Sequence, residues 1–514
     1  MGVRMMKKIS IMFLCCFLLL CACTSETASR DESPEESFSA SIGLTINGYT
    51  VYLNPTISDN WIEPMSMAAD APNIFVFSAF SGYKIKCNNI EVQSGDTVEV
   101  MIDKGYLKKS DGIEIEFTNK KSGLVTKQFV RCLNEGFPEF ITINNGAEYG
   151  YYYFDPTQDW IVKMNTNSEI IYFNYCEDNF YDFKPIETKN GELYYSYLTP
   201  YSDPDEKIKV VTNSFTECKA VIMNSNYQVV KEILGTLDED GKFTNIELDM
   251  HEFLMFDEMN YITLSYIPTY VDNIPEKLTG RGGYPSRVYA AYIQEVRDGK
   301  VAFEWKSTDY PEFYDMSVEG NQFDFTNEGW CDYIHINSID ICPNDGNLVL
   351  SMRHADSVVE IDRKTGDIVW ILGGKHDMFK LKEEEKFTRQ HFARFTDSGT
   401  LTLFDNSTNY VVSSAENYIG NGTGFPRTIE FSLDEREKTI LDYKSYDYKV
   451  KQSEVMGSSQ KLADDIFLIG WGASMEVPSK ILFSEIDFIS QKVLFEASNK
   501  SGVNVTYRVH KFHR

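Results

Sequence analysis

The chain has 514 residues, a formal net charge of −28 and 14% aromatic side chains. A protein this acidic is not expected to bind nucleic acid or an anionic membrane surface, because both are polyanions. An anionic substrate would need a local group of positive side chains against this background.

The first 22 residues have the organisation of a bacterial export signal. A basic stretch precedes an apolar run from Ile9 to Leu20, which is too short for an ordinary transmembrane helix. The run ends in Leu-Cys-Ala-Cys, which resembles a lipobox, so we expect residues 1–22 to be a lipoprotein signal peptide and Cys23 to be lipidated. A plain signal peptide cut nearby is the alternative. Removing residues 1–22 removes three positive charges and takes the net charge from −28 to −31.

Residues 23–41 are rich in Ser, Glu and Asp and are typical of a flexible tether. We therefore expect an exported protein that is lipid-anchored to the bacterial cell envelope, on its periplasmic or extracellular face. Its contact with the membrane would be through the lipid alone. The sequence is also compatible with a homodimer.

Six cysteines follow Cys23, and none has the CxxC spacing of a metal site. Export permits disulfides. We expect one, between Cys87 and Cys132.

Residues 42–136 predict a small N-terminal β-sandwich. Alternating apolar residues with regular turn motifs mark strands in IGLTINGYTVYLNP, PNIFVFSAFSGYKIKC, GDTVEVMID, DGIEIEFTN and TKQFVRCL.

Residues 137–514 carry a loose internal repeat, which is clearest in six hairpins. Their turns fall near Asn167, Asn226, Asp298, Thr365, Glu435 and Ser490, at intervals of 55 to 72 residues. Each interval is long enough for a four-stranded sheet, so the fold class is all-β and the architecture a six-bladed β-propeller. Two β-sandwiches would not give so even a period. The first strand of each blade is expected to line a central channel.

Three of the seven histidines open comparable hairpins in successive repeats: His251, His335 and His391. We expect all three to project at the same mouth of the channel.

Hairpin geometry predicts partners for two of them. A turn centred on Asn344 sets His335 opposite Arg353, and a turn near Ser398 sets His391 opposite Asp405. A carboxylate beside an imidazole fixes its tautomer and makes the other nitrogen a better nucleophile. A guanidinium beside an imidazole suits a tetrahedral oxyanion such as sulfate or phosphate.

Simpler interpretations exist for each residue taken alone. His391 would be a packed strand-end histidine, and Arg353 would pair with an acidic residue such as Asp332. Strand alternation places His354 on the face opposite Arg353, in a supporting position. His376, His510 and His513 lie outside the pattern.

A three-histidine zinc or copper site is the competing interpretation, but a cationic arginine in the same hairpin disfavours a dication. We expect no metal and no cofactor. The chain contains no Walker loop, HExxH or GxSxG motif.

Together these motifs resemble the bacterial aryl-sulfate sulfotransferase family. The resemblance is carried by the stretches DYIHINSIDICPNDGNLVLSMRHADSVVEIDRKTGDIVWILGG and RQHFARFTDSGTLTLFDN. It implies a small N-terminal β-domain on a six-bladed propeller, and a histidine that accepts a sulfuryl group from an aryl sulfate and passes it to a phenol. No nucleotide sulfate donor takes part.

Carried over by motif, the resemblance makes His391 the nucleophile, while His335 and Arg353 hold the sulfuryl oxygens or assist the departing phenolate. His251 is the fourth catalytic candidate, although this chain lacks the glycine-bearing turn that family members place after it. The same motifs contain the supporting residues Asn337, His354 and Asp405.

The function expected is therefore ping-pong transfer between a small-molecule phenolic sulfate donor and a phenol acceptor. One rival is a sulfate or phosphate ester hydrolase that uses the same residues with water as acceptor. The other is a noncatalytic surface propeller that binds a ligand or a protein.

Overall fold

A computed structural model describes residues 42–46, 49–53, 55, 60–62, 72–78, 80–101, 113–132, 137–175, 179–200, 216–319, 324–326, 328–407, 425–447, 453–473, 481–500 and 505–513. All of them belong to one compact unit, Ser41–Arg514. The predicted signal peptide, the lipidation site Cys23 and the tether lie outside the described residues. Within the described residues, no helix is long and apolar enough to cross a membrane.

The described chain is nearly all β-structure. Its one α-helix in these segments, α1, is Glu276–Thr279. Short 3₁₀ helices form at Ser307–Asp309, Pro311–Asp315, Arg353–Ala355 and Glu383–Glu385.

Among the described residues before 137 there are nine strands. They are β1 Ile42–Ile46, β2 Tyr49–Leu53, β3 Asn60–Ile62, β4 Pro72–Ser78, β5 Tyr83–Cys87, β6 Ile90–Val92, β7 Thr97–Met101, β8 Ile113–Asn119 and β9 Val125–Cys132. They form two sheets, with orders β2-β1-β4-β7 and β3-β9-β8-β5-β6. Inward residues of both sheets share one apolar cluster that includes Leu44, Phe77, Ile115 and Phe117. The alternating apolar residues of the sequence therefore form a core that the two sheets share.

The predicted disulfide between Cys87 and Cys132 is wrong. Cys87 is a buried free thiol. It lies on β5, and β8 separates this strand from β9, which ends at Cys132. Neighbouring strands are about 4.8 Å apart, so two strands on one sheet with another between them are about 9.6 Å apart. A disulfide needs Cα atoms within about 7 Å.

The remaining strands follow from residue 140 onward. They are β10 Phe140–Asn144, β11 Tyr151–Phe154, β12 Trp160–Asn165, β13 Ile170–Tyr175, β14 Tyr181–Glu187, β15 Leu193–Pro200, β16 Glu217–Asn224, β17 Val229–Ile233, β18 Gly235–Leu237, β19 Phe243–Asp249, β20 Phe253–Asp257, β21 Asn260–Val271, β22 Ser286–Arg297, β23 Lys300–Lys306, β24 Ile336–Ile341, β25 Leu348–Met352, β26 Ser357–Ile361, β27 Ile368–Gly373, β28 His391–Phe395, β29 Leu401–Asp405, β30 Arg427–Asp434, β31 Thr439–Asp447, β32 Ser458–Ala463, β33 Ile466–Gly470, β34 Ile481–Asp487, β35 Lys492–Asn499 and β36 Val509–Phe512.

These strands form six antiparallel sheets. In chain order of their main strands, the sheets are β13-β12-β11-β36, β14-β15-β16-β19-β18 with β17 also paired to β16, β20-β21-β22-β23, β24-β25-β26-β27, β28-β29-β30-β31 and β10-β35-β34-β33-β32. All six hairpins predicted from the repeat are present, because each predicted turn lies between two paired antiparallel strands. The C-terminal strand β36 pairs with β11, and β10 pairs with β35. The two ends of this region are thus interleaved.

Apolar cores lie between consecutive sheets. One large cluster joins β20–β23 to β24–β27 through residues such as Leu264, Trp305 and Leu350. Another joins β24–β27 to β28–β31 through Trp370 and Leu403. Each buried Leu, Ile or Phe contributes about 1.5–3 kcal/mol, so adjacent sheets are held together face to face.

Gly374 provides a test of how closely one connection packs. It follows β27 with φ +66°, and a Cβ there would lie 2.2 Å from Ser357 Oγ and 2.3 Å from the carbonyl oxygen of Ala355. Gly399 also has positive φ, but a Cβ there would meet nothing within 4 Å. We expect Gly399→Ala to cost about 1 kcal/mol from backbone strain alone. Gly374→Ala should cost at least about 2 kcal/mol more, because it adds overlap. Denaturant unfolding measures both, and equal losses would contradict this packing.

Candidate active site

Three histidines from three successive sheets come together where the first strand of each sheet begins. His251 lies between β19 and β20, His335 directly precedes β24, and His391 begins β28. The His251 and His335 rings meet edge to face, with their centroids 4.7 Å apart. All three side chains are buried. Hairpin position in the sequence therefore predicted a real cluster.

His354 also belongs to this cluster. Its ring stacks on His335, with centroids 4.5 Å apart. The expectation that His354 points away from Arg353 by strand alternation does not apply, because β25 ends at Met352 and residues 353–355 turn as a 3₁₀ helix.

Asp332 orients the two stacked imidazoles. Its carboxylate Oδ2 accepts from His335 Nδ1 at 2.6 Å, and its backbone carbonyl accepts from His354 Nδ1 at 2.5 Å. With Nδ1 protonated on both rings, the unprotonated nitrogen of each neutral imidazole is Nε2. His251 is held in a similar way, because its Nδ1 is 2.5 Å from Asp249 Oδ1.

Arg353 lies opposite His335, as the hairpin register predicts. Its backbone N–H donates to the carbonyl oxygen of His335 at 2.9 Å. Its guanidinium lies 3.8 Å from Glu319, which is also 2.5 Å from the guanidinium of Arg389. The salt bridge considered for Arg353 in the sequence therefore goes to Glu319 and not to Asp332. Two arginines therefore share this one carboxylate.

The predicted pairing of His391 with Asp405 is wrong. His391 pairs with Phe404, and the register shifts between His391 and Arg394. The cause is a bulge at Phe392, whose φ is +56°. Asp405 instead binds Arg427 Nε at 2.9 Å and accepts the backbone N–H of Thr388 at 3.0 Å.

Asn406 takes the place predicted for Asp405. His391 Nδ1 lies 2.7 Å from Asn406 Oδ1 and 3.0 Å from the carbonyl oxygen of Arg389. Both atoms are acceptors, so Nδ1 carries the proton and Nε2 carries the lone pair. The amide of Asn406 is fixed in this orientation, because its Nδ2 donates to the carbonyl oxygens of Ser453 and Met456, each at 3.0 Å.

The lone pair of His391 Nε2 accepts one hydrogen bond, from the backbone N–H of Met456 at 3.2 Å. At 3.2 Å this bond is at the long end of the usual range. A reacting group could reach Nε2 if this backbone segment moved and released the bond.

Three imidazoles of the cluster, those of His391, His335 and His354, are held neutral. Burial lowers the pKa of His391 well below its ordinary value, and the charge of Arg353 acts in the same direction. Burial, followed by His251 and Arg353, also lowers the pKa of His335. The pKa of His354 is lowered too, chiefly by burial. Neutral His391 is the nucleophilic form at neutral pH.

Asn337 supports the segment that leads into His391. Its Nδ2 donates to the carbonyl oxygen of Gln390 at 2.7 Å. The side chain of Gln390 in turn donates to Ser351 Oγ at 3.1 Å and to the carbonyl oxygen of Ser357 at 2.8 Å. The supporting position of Asn337 thus has a physical basis in backbone placement.

Four residues of the cluster were missed in the sequence: Asp332, Asn406, Glu319 and Arg389. The first two adjoin motifs already singled out, since Asp332 precedes His335 by three residues and Asn406 ends the FDN stretch. Arg389 likewise begins the RQHFARF stretch, two residues before His391, whereas Glu319 lies in no quoted motif and pairs with Arg389 from a distant part of the chain.

Only part of this cluster has the arrangement of a metal site. Asp332, His335 and His354 each offer one ligand atom within 4.8 Å of the others. Their Nδ1 atoms are already engaged with Asp332, and His391 is not a member of this set. The positive charge of Arg353 further disfavours a dication here.

A cavity of about 220 Å³ adjoins the cluster. Its lining includes Glu217, Asp249, which binds His251, and Tyr266. The hydroxyl of Tyr266 accepts the backbone N–H of Ile336, next to His335, at 2.6 Å. No histidine is among the residues that line it, so the cavity is connected to the cluster through Asp249 and Tyr266.

Comparison with known families identifies the class of protein. The model of the arylsulfotransferase (ASST) family matches residues 202–508, which include His251, His335, Arg353 and His391. The chain belongs to the arylsulfotransferase family. Membership indicates a sulfotransferase that acts on small-molecule donors and acceptors, as the motifs predicted.

Solved structures are similar to this chain only at low identity. A protein of unknown function from Bacteroides caccae is 12% identical, with 71% of this chain and 100% of that chain covered at a TM-score of 0.41. One from Desulfotomaculum acetoxidans is 8% identical, with 78% and 96% covered at 0.35. One from Dyadobacter fermentans is 12% identical, with 72% and 91% covered at 0.37. A search of curated proteins gave no match.

The role of Asn406 can be tested by substitution. Asn406→Ala removes the better acceptor of His391 Nδ1–H, so we expect kcat for an aryl sulfate to fall about 10²-fold with little change in Tm. Asp405→Asn is the matched control: it weakens the buried pair with Arg427 and should cost about 3 kcal/mol in stability. Steady-state kinetics and thermal unfolding separate the two effects. Full activity in Asn406→Ala would remove Asn406 from the site.

Proposed function

We propose that this protein is an aryl-sulfate sulfotransferase that works without a nucleotide sulfate donor, by ping-pong transfer through a sulfated His391. The observation that supports it most is the state of His391. Its ring is buried and neutral, and two carbonyl-type oxygens fix the proton on Nδ1, which leaves a lone pair on Nε2.

In the first half-reaction, the Nε2 lone pair of His391 attacks the sulfur of an aryl sulfate. An N–S bond forms and the ester S–O bond breaks, so the phenolate leaves with the bonding electron pair. Because Nδ1 keeps its proton, the sulfated ring becomes an imidazolium. The oxygens of Asn406 and Arg389 accept from Nδ1 and stabilise this charge as it develops.

Sulfuryl transfer resembles phosphoryl transfer in having a loose transition state, so positive charge and positioning are the main contributions of a protein. Arg353 supplies the charge. It is a buried cation, and burial lowers its pKa from the ordinary value. An anionic sulfuryl group would compete with Glu319 for the guanidinium groups of Arg353 and Arg389.

His335 is proposed as the proton carrier. Its Nε2 is free of the Asp332 hydrogen bond, so it can protonate the leaving phenolate and later take the proton of the acceptor phenol. The pKa of His335 is low in the free protein. A bound sulfate ester places a negative charge beside it and raises that pKa, so His335 takes up a proton from solvent when the donor binds. The acceptor oxygen then attacks sulfur, and His391 leaves as neutral imidazole.

The architecture that we propose around this site is a six-bladed β-propeller. Its support is the six successive antiparallel sheets and the placement of the three histidines at the starts of three first strands. The boundaries that we propose are residues 42–136 for an N-terminal β-sandwich and residues 137–514 for the catalytic propeller.

We also propose that the mature chain begins at a lipidated Cys23 and is held at the bacterial cell envelope. The lipobox-like sequence supports this anchor. Cys23→Ser should move the protein from the membrane fraction to the soluble fraction of expressing cells. Retention of the variant in the membrane, with the same detergent partitioning as the parent, would rule out the anchor at Cys23.

The reaction itself is tested with an aryl sulfate that releases a coloured phenol, with and without an excess of a second phenol. Acceptor-dependent release with a sulfated second phenol as product is expected. His391→Ala should abolish this transfer and keep the parent Tm. Sulfate release regardless of acceptor would identify a hydrolase. Absence of release with every donor would favour the noncatalytic binding propeller.

The role of His335 predicts a dependence on the leaving group. For a donor with a weakly acidic phenol, His335→Ala should lower kcat/KM by about 10²-fold or more, because the phenolate then leaves unprotonated. For a strongly acidic nitrophenol the loss should be small. With the weakly acidic donor, the rate of the parent protein should fall as pH rises, since the protonated form of His335 is lost, and the rate of the variant should not. Equal losses for both donors would assign His335 a positioning role only.

A further inference from the structure

A second group of ligand-type side chains lies at the turns on the far side of two sheets. We name it the turn cluster: Cys342, Asp345, Glu360 and Glu435. One ligand atom from each residue lies within 4.8 Å of the others. Cys342 and Asp345 belong to the turn between β24 and β25, Glu360 to β26, and Glu435 to the β30–β31 turn of the next sheet. The cluster therefore joins two sheets.

Glu360 is the unusual member, because it is 0% exposed. Its Oε1 accepts from Asn347 Nδ2 at 3.0 Å. Its Oε2 accepts no hydrogen bond from a donor group among the described residues, and the carboxylate faces that of Glu435. A buried carboxylate oxygen without a donor is costly. Burial raises the pKa of Glu360 to about 8, and the neighbouring Glu435 carboxylate raises it as well.

Two other sheets have a carboxylate at the corresponding place. Glu360 on β26 directly precedes a register shift in the third strand of its sheet. Glu295 on β22 and Glu485 on β34 hold the same position in their sheets. Each of these two carboxylates binds a cation from a neighbouring sheet. Glu295 binds Arg363 at 2.6 Å, and Glu485 binds Lys511 at 2.7 Å.

At Glu360 the neighbouring sheet supplies Glu435 in place of a lysine or arginine. No salt bridge to Glu360 occurs within the described segments. Glu295 and Glu485 therefore each have a positive partner. At the same position in its sheet, Glu360 is surrounded instead by a thiol and two further carboxylates.

We propose that the turn cluster binds a divalent cation, Zn²⁺ in the first place, through Cys342 Sγ and one carboxylate oxygen each from Glu360, Glu435 and Asp345. This ion takes the place of the lysine or arginine of the other sheets and fastens sheet β24–β27 to sheet β28–β31.

The geometry and chemistry of the ligands fit zinc. Cys342 Sγ lies 3.8 and 3.9 Å from the two carboxylate oxygens of Glu435. Tetrahedral zinc, with bonds of about 2.3 Å to sulfur and about 2.0 Å to oxygen, needs a separation of about 3.5 Å, so a small contraction suffices. Burial raises the pKa of the Cys342 thiol to about 12. Coordination removes that proton directly.

Outer hydrogen bonds already orient the ligands. Glu435 accepts from Trp370 Nε1 at 3.2 Å and from Asn344 Nδ2 at 2.8 Å. Asn347 fixes Glu360, and it also donates to Asp345 at 2.7 Å. Such outer contacts are typical of metal sites. Asp345 is exposed and gives an ion a path from solvent.

This site is separate from the sulfuryl-transfer site. His335 precedes the first residue of β24 and Cys342 follows its last, so the two lie about 20 Å apart along the strand. The ion is therefore structural, and its removal should change stability before it changes chemistry.

The test uses the purified full-length protein after treatment with a chelator. Addition of Zn²⁺ should raise Tm, and Co²⁺ should bind with one equivalent and show the near-ultraviolet charge-transfer band of a thiolate ligand. Cys342→Ala should abolish the band, and Glu360→Gln should weaken binding of either ion at least tenfold. Cys87→Ala, which removes a buried free thiol elsewhere, should leave both unchanged.

Three results would overturn the proposal. One is that neither ion binds at micromolar concentration. Another is Co²⁺ binding that lacks a thiolate band and survives Cys342→Ala, which would place the ion at Asp332, His335 and His354. The third is that Glu360→Gln is more stable than the parent at neutral pH and that zinc changes the stability of neither protein. That result would show that Glu360 and Glu435 share a proton. If Cys342→Ala fails to fold, the Co²⁺ spectrum of the parent decides alone.

Discussion

The buried guanidinium of Arg508 connects the sheets to the site. It donates to the backbone carbonyl oxygens of His251 at 2.8 Å and of Asn337 at 2.6 Å. It also forms ion pairs with Asp182 at 3.0 Å and Glu252 at 3.3 Å. Burial opposes its charge, but these two carboxylates hold the pKa of Arg508 above its ordinary value. Loss of one partner from such a group costs about 3–5 kcal/mol.

Other buried charges extend this network to further first strands. Glu252 also binds Lys184 of β14 and Arg394 of β28, and Asp182 binds His510 of β36 at 2.9 Å. His510, which lies outside the histidine pattern of the sequence, is thus part of the support. Because the positions of His251 and Asn337 depend on Arg508, a charged network beneath the histidines sets the geometry of the site above it.

The site shows how an acidic protein can attract an anion. Burial keeps His391 and His335 neutral, while Arg353 and Arg389 share one carboxylate. The positive charge is therefore concentrated on guanidinium groups, which bind oxyanions well. A neutral imidazole beside them keeps its lone pair for nucleophilic attack. An acidic composition disfavours polyanionic partners but is compatible with one small anion held by two arginines.

Most of the fold could be predicted from periodicity, because each hairpin is local: all six predicted turns, and the strands of the N-terminal region, are present. The pairing of His335 with Arg353 followed in the same way from a regular register. The pairing of His391 failed because one bulge at Phe392 displaces the register by a residue, and a bulge leaves no mark in an alternating pattern. Arg508, Glu319 and Glu435 act across hundreds or tens of residues, so no local pattern reveals them.

The most direct test of the central claim is to mix the protein with an aryl sulfate and no acceptor, quench after one turnover, and map the sulfuryl group by mass spectrometry under conditions that preserve N–S bonds. The account predicts one sulfuryl group on the peptide that contains His391, which disappears when a phenol is added before the quench. A sulfuryl group on another residue, or turnover to a sulfated phenol with none on the protein, would contradict it.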